Sequence, residues 1–248
     1  MEPNKVSKNC KSIVLDNGLE LTYCEFGEQN KEIMITGAFY FHTFTPVVEA
    51  LAGKYHIYGV VMRLNGESTE KNADGSTNWS RQWGEDVYQF AKALKIDKFH
   101  YIGKCHGTNP GWYMFKEHPD MMETFCSCYL VPHLCGRTSN LWTEIPATQG
   151  QQVFLGMNMR KPEGVPKKLA EIQSLGPGAL AEAAEAGIYA ESPELIWNSI
   201  EECEADISTY KMPICFMFGT DDLLFQDYYD SSMKAFKIVP KSKTVLFQ

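Results

Sequence analysis

This 248-residue chain has no uninterrupted apolar run approaching the ~18–20 residues that a membrane-crossing helix requires. Its first twelve residues, Met1 to Ser12, are polar and lack the apolar centre of a secretory signal. Positive charge is also short: 23 Lys and Arg stand against 31 Asp and Glu, a formal net charge of −8. Phosphate backbones and anionic lipid surfaces are poor partners for such a chain, so neither a nucleic acid nor a membrane is expected to bind it. Its eight cysteines are only about 3% of the residues. Without a leader, that usage predicts reduced thiols in a cytoplasmic protein rather than a disulfide framework. No internal repeat, low-complexity tract or paired C-x-x-C pattern is present.

What is there is ordinary globular composition, 44% hydrophobic and 22% charged, in a length suited to one domain with a substantial core. Ser12 to Phe26 reads as a hairpin about the turn Asp16-Asn17-Gly18, with Leu19, Leu21 and Tyr23 alternating beyond it. Glu32 to Thr36 is a short buried-strand run closed by Gly37. A helical spacing follows over Pro46 to Tyr55, then a second buried run, Ile57 to Met62. The same alternation continues: a helix over Ser80 to Leu94, a strand over Phe99 to Ile102, a helix over Gly111 to Glu117 and a strand over Thr124 to Val131. Pro213 to Phe218, Tyr228 to Phe236 and Thr244 to Phe247 read as strand, helix and strand. Strands alternating with helices predict an α/β fold, a mostly parallel sheet with helices on both faces. Residues 134–210 break the pattern with helices near Gly178 to Ala190 and Pro193 to Glu204, divided by Pro162, Pro166, Pro177 and Pro193. This predicts a helical lid (134–210) inserted in a core made of 1–133 and 211–248.

Gly103-Lys104-Cys105-His106-Gly107 has the form Gly-x-nucleophile-x-Gly between a predicted strand and helix. A nucleophile on so tight a turn needs small residues two before and two after it, so that strand and helix approach without Cβ clashes. With 19 Gly and 8 Cys, this pattern is expected by chance about 0.05 times in the chain. A thiol at Cys105 gains thiolate character from the helix N-terminus behind it. Pro110 suits that helix's first turn, where the missing N–H would be orphaned anyway.

From these residues onward the chain resembles the α/β-hydrolase superfamily over nearly its whole length. Ile35-Thr36-Gly37-Ala38-Phe39 is similar to the oxyanion loop after the third strand, with Thr36 where the family usually has His. Trp83 to Leu94, Ile96-Asp97-Lys98, Phe99 to Gly107 and His118-Pro119 resemble the family's helix, linker, strand, elbow and helix. Phe218-Gly219-Thr220-Asp221-Asp222 resembles its acid turn. Cys105 in place of the usual Ser resembles the cysteine branch, such as the dienelactone hydrolases. The resemblance implies Cys105 as nucleophile, the N–H groups of Ala38 and His106 as oxyanion donors, and Asp222, in competition with Asp221, as the acid. It implies no cofactor and no metal. The family's histidine follows the last strand, so this base is expected beyond Gln248, with His42 and His133 as internal alternatives. His106 projects about 100° away from Cys105 around the helix start, which disfavours it as the base.

Cys126, Cys128, His133 and Cys135 fall within ten residues, but their spacing is poor for zinc. Phe39, His42 and Trp142 are the candidate substrate contacts, since a lid must face the carboxyl edge of the sheet. The expected activity is cysteine-dependent hydrolysis of a small, largely apolar ester, lactone or activated carbonyl compound. An acyltransferase and a non-catalytic ligand binder on the same scaffold are the alternatives, and self-association is left open.

Overall fold

A computed structural model of the chain describes residues 10–37, 41–61, 79–128, 196–197, 199–220 and 228–247, with side chains excluded at 41–45, 79–80, 105–106, 200 and 228–231. The chain enters the fold through the predicted hairpin, β1 (Cys10–Val14) against β2 (Glu20–Phe26). Its turn closes because Gly18 takes a φ of +83°, a left-handed value that suits a residue without Cβ. The Leu15 and Gly18 amides donate to the Leu19 and Leu15 carbonyls, each at 2.8 Å, and Asn17 Oδ1 accepts from the Leu19 amide.

That register sets Cys10 directly opposite Cys24, with their Cα atoms 4.1 Å apart, and the two sulfurs form a disulfide. The expectation of reduced thiols throughout is therefore corrected for this pair. Composition carries no information about register, and it is the turn geometry that brings two residues fourteen positions apart into contact.

β3 (Glu32–Thr36), β4 (Tyr55–Val60), β5 (Phe99–Lys104), β6 (Met122–Cys128), β7 (Ile214–Gly219) and β8 (Ser242–Phe247) complete an eight-stranded sheet in the order β1-β2-β4-β3-β5-β6-β7-β8. The pairings β1–β2 and β2–β4 are antiparallel and the rest are parallel. After β3 the chain steps outward to β4, then crosses back to place β5 on the other side of β3. The sheet thus changes winding direction between β3 and β5.

Helices cover both faces. α1 (Phe41–Leu51) lays Val48 on Met34, Ile57 and Ile102. It begins five residues before Pro46, although the ring removes one helical hydrogen bond. On the opposite face α2 (Trp79–Ala93) buries Trp83, Val87, Phe90 and Ala91, the i, i+4, i+7, i+8 stripe of its sequence. α3 (Asn109–Glu117) crosses α2 where Gly84 leaves room: a Cβ there would lie 2.2 Å from the Tyr113 ring. Trp112 of α3 is fully buried against Phe125 (ring centroids 4.7 Å), Phe216 (6.0 Å) and Trp197 (6.4 Å).

Of the expected lid, residues 134–195 and 198 lie outside the described residues. The remainder joins the main core: Ile196, Trp197, Cys203, Ile207 and Tyr210 are all buried in the cluster that holds Trp112. The helix expected from Pro193 instead begins at Ile200 (α4, Ile200–Ile207). Ser199 caps it by accepting the Glu202 amide, the first half of a Ser-x-x-Glu capping pattern. Lys116 of α3 anchors the segment by donating to the Ile196 carbonyl (2.7 Å) and to Glu202 (3.1 Å). α5 (Tyr228–Ile238) then packs Ala235 into the same core, with Val239 just beyond its end.

Candidate active site

The predicted elbow is present as backbone. β5 ends at Lys104, Cys105–Thr108 form one tight 3₁₀ turn, and α3 starts at Asn109 with Pro110 in its first turn. Both flanking glycines are required by contact. A Cβ on Gly103 would lie 2.2 Å from the Gly107 carbonyl oxygen and 2.6 Å from Thr108 Cα. A Cβ on Gly107 would lie 2.1 Å from the carbonyl oxygen of Gly37, at the end of β3. The elbow therefore rests directly on the segment that precedes Ala38. Carboxyl ends of adjacent strands on either side of a winding reversal form the crevice where open α/β sheets bind ligands.

Tyr101 joins the same two segments. Its phenol donates to the Gly107 carbonyl at 2.7 Å and accepts from the Gly37 amide at 3.2 Å. The ring is buried edge-on to Phe125, and Gly111 makes space for it, since a Cβ there would lie 2.7 Å from Tyr101 Cδ1. Burial holds the phenol far above its ordinary pKa, so it stays neutral. Sequence reasoning read Tyr101 only as part of the strand Phe99 to Ile102. Thr36, the departure from the family pattern, is fully buried, and its hydroxyl has no hydrogen-bond partner among the described residues.

Of the predicted site residues, Cys105 and His106 are placed by their backbone at the elbow, their side chains lying outside the description. His42 is likewise placed by backbone in the first turn of α1. Ala38, Phe39, Asp221, Asp222, His133, Cys135 and Trp142 lie outside the described residues.

The histidines whose side chains are described are occupied elsewhere. His56, at the start of β4, meets Glu25 Oε1 at 2.7 Å. His100, five residues before Cys105 and so about 16 Å away along the strand, meets Thr124 Oγ1 at 2.8 Å. His118, at the far end of α3 from the elbow, stacks on Tyr88 with ring centroids 3.7 Å apart, and burial lowers its pKa. None of the three sits where it could serve Cys105.

Cys126 and Cys128 of β6 share a sheet face with Cys215 and Met217 of β7. Cys126 Sγ lies 3.2 Å from Met217 Sδ and 3.9 Å from Cys128 Sγ. Either sulfur of the Cys126–Cys128 pair could donate to the other, and this hydrogen bond pushes the Cys126 pKa up to about 12. The same contact with Cys126 lowers the Cys128 pKa. The bond to Cys126 and then burial raise Cys215, and burial raises Cys203. Among the described residues no three His, Cys, Asp or Glu side chains are grouped so as to hold a metal ion, and no helix is long and apolar enough to cross a membrane.

No protein-family model matches the chain, and no curated protein does. Solved structures do. An α/β-fold family hydrolase from Bacillus anthracis str. Sterne is similar at a TM-score of 0.56 and 14% identity over 96% of this chain and 91% of its own. The enol-lactonase of Burkholderia xenovorans LB400 aligns at a TM-score of 0.60 and 17% identity over 96% and 91%. An assigned acyltransferase from Salmonella enterica aligns at 0.65 and 16% over 96% and 87%. With the observed strand order and elbow, these likenesses define the class: the chain has the α/β-hydrolase fold.

Proposed function

We propose that this chain is a cysteine-dependent α/β hydrolase that cleaves a small, largely apolar ester, lactone or activated carbonyl substrate through an acyl-enzyme on Cys105. The observation that carries this reading is the Gly103–Gly107 elbow, a strand–turn–helix packed on the end of β3 at the winding reversal. In this reading the Cys105 thiolate attacks the carbonyl carbon, and the electron pair driven onto the carbonyl oxygen is held by the Ala38 and His106 N–H groups. The tetrahedral adduct collapses by expelling the alcohol, and water then hydrolyses the thioester. Asp222 would orient a histidine base, and Phe39, His42 and Trp142 would line the substrate pocket. Substitution of His42, His106 and His133 in turn identifies whether one of them is that base.

The similarity to an acyltransferase supports a second reading, in which the Cys105 thioester passes to an alcohol or amine rather than to water. Product analysis with and without added acceptors separates the two. The nucleophile is tested by brief labelling with iodoacetamide and peptide mapping. Cys105 should label first, because the raised pKa values of Cys126, Cys203 and Cys215 slow them. Cys128 is the competing thiol, but it is buried. Cys105→Ala should abolish turnover and move the melting temperature by no more than a few degrees. First labelling at any other cysteine, or turnover surviving in Cys105→Ala, rejects the assignment.

A further inference from the structure

Resting on the reading of Cys105 as an acyl-accepting nucleophile, we propose that Tyr101 is a positioning residue that sets the oxyanion hole, its phenol tying together the two backbone segments that supply the N–H donors.

The donors proposed above are the amides of Ala38 and His106. Each lies one residue from a group that Tyr101 holds: Gly37, whose amide donates to the phenol, and Gly107, whose carbonyl accepts from it. Their separation is bounded on both sides. Closer approach is blocked because Gly107 already rests on the Gly37 carbonyl oxygen, too near for even a methyl group to intervene. Drawing apart would break one or both hydrogen bonds of a fully enclosed hydroxyl, leaving buried polar atoms unpaired. One rigid ring therefore fixes a distance between two segments 64 residues or more apart in sequence. The ring's own position is fixed by β5, by Phe125 and by the space at Gly111. Packing alone asks only for a phenyl ring here, so the hydroxyl is explained by its two backbone partners. The phenol stays neutral and its hydroxyl is engaged by the Gly107 carbonyl and the Gly37 amide, so it acts through position alone.

Two reactions at the same sulfur isolate this role. Acylation by p-nitrophenyl acetate forms the S–C bond to the carbonyl carbon, places negative charge on the carbonyl oxygen, and then expels p-nitrophenolate. Alkylation by iodoacetamide forms an S–C bond as iodide leaves, and no oxyanion arises. In Tyr101→Phe, single-turnover acylation of Cys105, followed by mass spectrometry, should slow roughly 10–100-fold, somewhat less than the ~10²–10³ loss on deleting an oxyanion donor outright. Alkylation of Cys105 should stay within about twofold of the parent, as no donor is involved.

Unchanged acylation in a folded Tyr101→Phe overturns the proposal, and so does an equal fall in both reactions, which would mean general damage to the elbow. A parent protein whose Cys105 alkylates but never acylates also overturns it, since there is then no oxyanion hole to set. Acylation at a different cysteine instead signals failure of the nucleophile reading. Should Tyr101→Phe lose its cooperative melt, hydrogen exchange in the parent decides. The Gly37 amide, beyond the end of β3, should be protected like the strand amides of Met34 and Ile35, and exchange at the rate of an open loop rejects the tie.

Discussion

Replacing Gly103 by alanine adds one carbon and two hydrogens, and the structure says where that carbon goes. Its Cβ would lie 2.2 Å from the Gly107 oxygen, 2.6 Å from the Gly107 carbonyl carbon and 2.6 Å from Thr108 Cα. All three are main-chain atoms, so no rotamer change relieves the contact. Restoring an ordinary separation of about 3.4 Å requires the elbow to move by about 1.2 Å. Overpacking a dense interior costs about 1–3 kcal/mol, and a clash with backbone alone places this case near the upper end, at about 3 kcal/mol. For a chain of this size each kcal/mol lowers the melting temperature by about 2–4 °C, giving a fall of about 6–12 °C. Displacing a nucleophile by about 1 Å should also cost on the order of 10²-fold in the rate of Cys105 acylation. Gly53→Ala is the control, because a Cβ there meets nothing within 4 Å. It should leave the melt unchanged or raise stability by up to about 1 kcal/mol. Thermal denaturation followed by circular dichroism, with acylation measured on the same samples, tests the pair. If Gly103→Ala melts within about 1 °C of the parent while Gly53→Ala destabilises, the close packing ascribed to the elbow is wrong.

Trp112→Ala should cost about 3–5 kcal/mol in urea unfolding, because it empties a fully buried site between Phe125, Phe216 and Trp197; a loss below about 1 kcal/mol would contradict that packing. Glu25 is nearly buried; burial pushes its carboxyl up, but hydrogen bonds from Lys11 and His56 outweigh this and hold it below the usual carboxylate range. A lowered folded pKa contributes stability above the ordinary carboxylate value of about 4 that is lost as pH falls through the folded value. Glu25→Gln should therefore lower stability at pH 7 and flatten its acid limb, and a variant with the parent's pH profile would show that the cluster is energetically neutral. Lys116→Met should loosen residues 196–202, seen as faster exchange across α4, since it removes the donor to the Ile196 carbonyl and to Glu202.

Much of the α/β alternation was legible in the sequence because each element carries its own period. The stripe Trp83, Val87, Phe90, Ala91 specifies a helix with one buried face, and Glu32–Thr36 specifies a strand enclosed on both sides. The elbow was legible because two glycines flank a nucleophile within five residues; the clash that demands Gly103 is with atoms a few residues on, whereas the one that demands Gly107 is with the Gly37 carbonyl, which only the folded sheet brings near. Helix ends were read less well. Among the described residues α4 starts at Ile200, where the Ser199 side chain caps it by accepting the Glu202 amide.

Contacts between distant segments have no such local mark, and only the tertiary structure decided them. Cys10 meets Cys24 because the hairpin register pairs them, and Cys126 meets Met217 because β6 and β7 lie side by side. Ile196 to Tyr210, read with the lid, enters the core because Trp112 and Phe115 of α3 leave a surface that it fills. Tyr101 fits the apolar pattern of β5 as any aromatic would; its hydroxyl acquires two partners only when β5 is laid beside β3, so that Gly37 and Gly107 arrive together around one oxygen.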